Sequence, residues 1–86
     1  RSNRESGYGR YDVMLIPRQK NQLAFVLEFK VYDAQEELKL EDTVQSALAQ
    51  IEEKDYDTEL VERGISKLQI RHYGFAFEGK KVLIGE

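Results

Sequence analysis

The stretch "LAFVLEFKVYD", residues 23–33, reads as a buried β-strand rich in aromatic and β-branched residues. It is almost wholly apolar until Glu28 and Lys30 arrive near its end. Side chains alternate faces along a strand, so Phe25, Leu27, Phe29 and Val31 share one wholly apolar face. Ala24, Val26, Glu28, Lys30 and Tyr32 share the other, which starts apolar and turns charged. An acid and a base two residues apart on a core strand need a physical reason.

The preceding segment "GYGRYDVMLIP", residues 7–17, is a glycine-rich approach to a second strand that Pro17 ends. Between the two strands, "RQKNQ" (18–22) is polar and turn-like. Short strands joined this way predict an antiparallel hairpin. A turn centred near Lys20 places Asp12 opposite Glu28 and Arg10 opposite Lys30. Two carboxylates about 5 Å apart repel by roughly 3 kcal/mol at an effective dielectric of about 20. That is a large share of the roughly 5–15 kcal/mol by which a domain is stable. The candidates for compensation are Lys30, Arg10, a shared proton or a bound divalent cation. Asp and Glu oxygens with a few waters suit Mg²⁺ or Mn²⁺. A plainer arrangement competes: Glu28 and Lys30 as a same-face ion pair at a partly exposed strand end, with Asp12 capping the glycine turn. A register slip of one residue would undo the facing pair.

Downstream, Leu40, Val44, Ala47, Leu48 and Ile51 fall on one stripe of helical period. The stripe predicts a helix over about 40–54, with 33–39 as an irregular lead-in. A second short helix is expected over 57–63, closed by Gly64. "KLQIRHYGFAFEGKKVLIG" (67–85) reads as a strand, a turn at Glu78-Gly79 and another strand, with Phe75 and Phe77 in the core. Residues 1–5 are expected to add to a preceding edge strand. The fold class is α/β (α+β): one mixed sheet with a helix packed across it.

The chain of 86 residues fits a single domain spanning 1–86. It holds no cysteine, which excludes disulfides, thiolate chemistry and a Cys-ligated zinc site, and fits a reducing, cytoplasmic setting. No apolar run reaches membrane-spanning length and no signal-peptide pattern opens the sequence. It opens at Arg1, so the domain is expected to be a fragment of a longer chain. The net charge of −3 hides an asymmetry: residues 33–62 carry two Lys/Arg against eleven Asp/Glu, while both flanks are net basic. A nucleic-acid footprint would have to come from those flanks. The single histidine, His72, reads as structural or surface, because one His without Cys makes a transition-metal site improbable.

An Asp on one strand, then Glu-x-Lys after a hairpin, then a helix, resembles the pattern of the PD-(D/E)XK nuclease superfamily. That superfamily includes type II restriction endonucleases and Holliday-junction resolvases. More narrowly, "SGYGRYDVML", "VLEFKV" and "ALAQIEEKDY" resemble nuclease-like domains found C-terminal to AAA-type ATPase domains in bacterial proteins. The resemblance implies a restriction-endonuclease-like core that hydrolyses phosphodiester bonds in DNA with Mg²⁺ or Mn²⁺. Carried over, Asp12, Glu28 and the Phe29 carbonyl hold the metal. Lys30 positions or helps deprotonate the attacking water, or neutralises charge in the transition state. Gln50, at the border of the apolar stripe, orients the water or contacts DNA; its plainer reading is a helix-flank amide bonded to nearby backbone. Arg10, Lys54 and Tyr56 are the nucleic-acid contacts. Some relatives carry Gln-x-x-x-Tyr, and the Gln50–Tyr56 spacing does not meet it. The family's first core helix has no room in this chain, so one side of the sheet is expected to be exposed and a homodimer to cover it. The alternative function is a catalytically inactive, nuclease-like module for nucleic-acid or protein interaction.

Overall fold

The computed structural model describes residues 9–86, so the edge strand expected within residues 1–5 lies outside the described residues. The first element is the hairpin. Strand β1 (Arg10–Leu15) pairs antiparallel with β2 (Ala24–Val31), with Asp12 opposite Glu28 and Arg10 opposite Lys30. Strand β3 (Ile70–Glu78) runs parallel to β2, and β4 (Lys81–Gly85) returns antiparallel to β3, giving the sheet order β1-β2-β3-β4. A parallel neighbour requires a crossover, which two helices supply: α1 (Leu40–Lys54) and α2 (Tyr56–Glu62).

Helix α1 begins where Asp42 reaches back to accept the backbone N–H groups of Leu38 (3.0 Å) and Lys39 (3.3 Å). Glu41 and Asp42 in its first turn and Lys54 in its last complement the helix dipole. The helix stops at Asp55, which adopts the left-handed conformation (φ 53°), the only described residue other than glycine to do so. That stop turns the chain back at once into α2. Helix α2 ends in a Schellman motif: Gly64 takes φ 95°, its N–H donates to the Val61 carbonyl, and the Ile65 N–H donates to the Leu60 carbonyl. Ile65 and Leu60 then join Met14, Ala24, Val26, Ile51 and Ile70 in one buried cluster.

The helix layer lies on the face of the sheet that carries small side chains. Ala24, Ala76 and Gly74 are buried there. A Cβ at Gly74 would stand 3.0 Å from the Val44 carbonyl oxygen and 3.1 Å from the Ala47 Cβ, so glycine lets α1 sit close against β3. The bulky face is the other one. Phe29 stacks on Phe75 with ring centroids 4.7 Å apart, and Phe25 stacks on Tyr73 at 6.1 Å. Tyr11, Leu15, Val31, Val82 and Ile84 remain exposed on that side. Phe75 and Phe77, expected in the core, are half-buried members of this aromatic face. Strand alternation fixes that they share a side, but the helix packs where small residues allow close approach. No helix among the described residues is long and apolar enough to cross a membrane.

Candidate active site

The hairpin register puts two acids side by side under the end of α1. Asp12 and Glu28 are both 0% exposed. Gly74, the parallel neighbour of Glu28, brings α1 down over them. Asp12 Oδ2 accepts from Lys54 Nζ at 2.7 Å and from Tyr56 OH at 2.6 Å. The reversal at Asp55 is what lets Lys54, at the end of α1, and Tyr56, at the start of α2, meet on one oxygen. Asp12 is therefore anchored by two donors that come from another layer of the fold.

Glu28 is treated differently. Both of its carboxylate oxygens are buried without a hydrogen-bond donor. Its nearest cation is Arg10, whose Nη1 lies 3.6 Å from Oε2, beyond hydrogen-bond length, while Nη2 donates to Ser46 Oγ at 2.6 Å. Burial lifts the Glu28 carboxyl to about 7, and the negative charge of Asp12 adds to the rise; Lys54 and Arg10 oppose it. The facing acids are thus relieved by Lys54, by Arg10 and by a proton held on Glu28 near neutral pH.

Lys30 does not take part in that relief. It is 8% exposed and its ammonium pairs with Glu37 Oε2 at 2.8 Å, so the same-face Glu28–Lys30 ion pair does not form. Glu37, also 8% exposed, is fully engaged. Its Oε1 accepts from Thr43 Oγ1 (2.8 Å) and from the Asp33 N–H (2.9 Å). Burial works against its charged form, but the bonds from Lys30, Asp33 and Thr43 outweigh this and hold its carboxyl below the ordinary range. Nothing in the sequence marks Glu37 and Thr43. Glu37 sits in an irregular acidic run with no periodicity, and only its burial distinguishes it from Glu36 beside it.

Of the residues expected at the site, Arg10, Asp12, Glu28, Lys54 and Tyr56 come together. Lys30 stands one strand period further along, in a cleft of about 570 Å³ that Arg10, Ser46, Tyr32 and Glu37 also line. Gln50 is half-buried on α1, one turn before Lys54, and donates no hydrogen bond to Glu28. His72 is structural: its Nε2 lies 2.7 Å from Asp57 Oδ1 and its Nδ1 3.6 Å from Glu52 Oε1, tying β3 to both helices.

Among the described residues no group of three or more His, Cys, Asp or Glu side chains is arranged to hold a metal ion. The donors at the hairpin are two carboxylates and the strand backbone. A buried carboxylate whose oxygens take no hydrogen bond is the donor a hard cation requires, so Glu28, with Asp12 facing it, suits Mg²⁺ or Mn²⁺ in chemistry. The mixed sheet, the crossing helix and an Asp facing Glu-x-Lys define a restriction-endonuclease-like domain. A model of the PD-(D/E)XK nuclease superfamily matches residues 1–86, and the chain belongs to that superfamily. It matches no curated protein and no solved structure.

Proposed function

We propose that this domain is a divalent-metal-dependent nuclease that hydrolyses phosphodiester bonds in DNA, as the C-terminal domain of a larger ATPase-containing protein. The observation that carries the metal-dependent chemistry is the Glu28 carboxylate: buried, without hydrogen-bond donors, and directly opposite Asp12. A native fold rarely leaves such a group without a ligand. The ATPase context rests on the sequence resemblance alone. Held by Asp12, Glu28 and the Phe29 carbonyl, Mg²⁺ or Mn²⁺ supplies Lewis-acid stabilisation of phosphate charge and a more acidic water. Lys30, at the rim of the cleft, offers a compact ammonium to orient that water or to neutralise charge on the phosphate. Gln50, one turn before Lys54 on α1, orients the water. Arg10, which lines the cleft, is the proposed contact to a phosphate oxygen. Lys54 and Tyr56, which hold Asp12, are the further contacts proposed for the nucleic-acid backbone.

One observation favours the second reading, an inactive interaction module: Lys30 is bound to Glu37 rather than turned to the carboxylates. A plasmid-nicking assay with Mn²⁺ separates the two. The wild type is expected to nick DNA and Lys30→Ala to lose at least about a hundredfold in rate, the scale of a general acid–base contribution. Equal rates for the two proteins would overturn the nuclease reading. Salt-sensitive DNA binding without a metal effect would favour the module.

A further inference from the structure

We propose that Glu37 is the positioning residue for Lys30, and that its task is to keep the lysine ammonium off Glu28. The inference deepens the nuclease reading and rests on it. Lys30 and Glu28 project from the same face of β2, one strand period apart, and Glu28 offers two buried oxygens that accept no hydrogen bond. An ammonium on a four-carbon stem reaches a neighbour at that spacing, and by charge alone the two would pair. The pair does not form because a better-organised carboxylate competes for Lys30.

The organisation of Glu37 is visible on every side. Its backbone N–H donates to the Asp33 carbonyl at 2.8 Å, and its own carbonyl accepts from Tyr32 OH at 3.0 Å. Its Oε1 is fixed by Asp33 N–H and Thr43 Oγ1, which leaves Oε2 for Lys30. The residue thereby joins the end of β2 to the first turns of α1 before it touches the lysine. An acceptor already fixed by other bonds loses less freedom on pairing than one that must be ordered. Lys30 is held at the cleft, and the oxygens of Glu28 keep only Arg10, 3.6 Å from Oε2, as an ion-pair partner and accept no hydrogen bond.

The consequence is specific. With the charge of Glu37 removed, Lys30 falls onto Glu28 and competes with the metal. Glu37→Gln preserves shape and the acceptor for Thr43 and Asp33. It is expected to weaken Mn²⁺ binding, read by titration calorimetry, by about tenfold or more, the scale of losses when a group supporting a metal ligand is changed. The double variant Glu37→Gln/Lys30→Met, which has no ammonium to fall, is expected to recover wild-type affinity. A merely structural role for Glu37 predicts no such recovery. Equal Mn²⁺ affinity in wild type and Glu37→Gln overturns the proposal, as does a double variant no better than the single one. Should the wild type bind no Mn²⁺, the nuclease reading fails, and a crystal structure of Glu37→Gln decides the positioning role alone. Lys30 Nζ within hydrogen-bond distance of Glu28 supports it; Lys30 still facing the substituted amide at position 37 overturns it.

Discussion

Glu28 and Glu37 lie nine residues apart, both buried, both among cations, and their fates are opposite. Glu37 in the β2–α1 connection accepts from an ammonium, a hydroxyl and a backbone N–H. Glu28 on the hairpin accepts from none, and its carboxyl is raised where that of Glu37 is lowered. Burial costs a carboxylate the same hydration in either place; the difference is whether the fold returns hydrogen bonds for it. Where it does, the acid is part of the scaffold. Where it does not, the acid weakens the scaffold and is open to a ligand.

The contrast breaks most visibly at Glu37. Glu37→Ala breaks the buried Lys30 pair and takes the acceptor from Thr43 Oγ1 and the Asp33 N–H as well, so stability is expected to fall by about 3–5 kcal/mol. Chemical denaturation measures it, and a loss below about 1 kcal/mol, the size of a surface pair, would remove Glu37 from the scaffold. Glu28→Gln is expected to act in the other direction and to depend on pH. The folded carboxyl of Glu28, at about 7, lies above its ordinary 4.5, chiefly through burial. Its favourable contribution is therefore whole below pH 4.5 and is lost as pH rises through 7. Glutamine cannot ionise, so the variant should gain on the wild type by about 3 kcal/mol between acid and pH 8 in metal-free buffer. Parallel denaturation curves at the two pH values check this; a difference that does not change with pH would place Glu28 with Glu37. The smallest effect belongs to Thr43→Val, which removes one donor from Glu37 and is expected to cost about 1 kcal/mol in the same measurement.

The hairpin was legible in the sequence to the residue, because alternation and the polar link at 18–22 leave one register that buries the apolar side chains. Helix α1 was equally legible from its stripe, and its observed bounds, Leu40–Lys54, match the periodicity. The pairing partner of Lys30 was not. Glu28 is the nearest acid along the chain, and nothing local shows that an acid in an irregular loop will be drawn under α1 and bonded three ways. The half-burial of Phe75 and Phe77 was hidden for a related reason. The apolar face of β2 was plain, but Gly74 and Ala76, which draw the helix to the opposite side, lie on a strand that only the fold brings alongside.

The two donors on Asp12 also set an order of assembly. Asp12 and Glu28 belong to a local hairpin, whereas Lys54 and Tyr56 reach Asp12 from 42 and 44 residues away. Local pairs close before distant ones, since the entropy of loop closure must be met first. Through that interval the like charges of the hairpin stand without Lys54. Before the helix layer buries it, the Glu28 carboxyl keeps its ordinary 4.5, and protonating it removes the repulsion, so refolding is expected to quicken as pH falls from 8 towards 4.5, even though Glu37 prefers the higher pH. Stopped-flow refolding at the two pH values reads the sign, and a faster rate at pH 8 would mean that the helix arrives first.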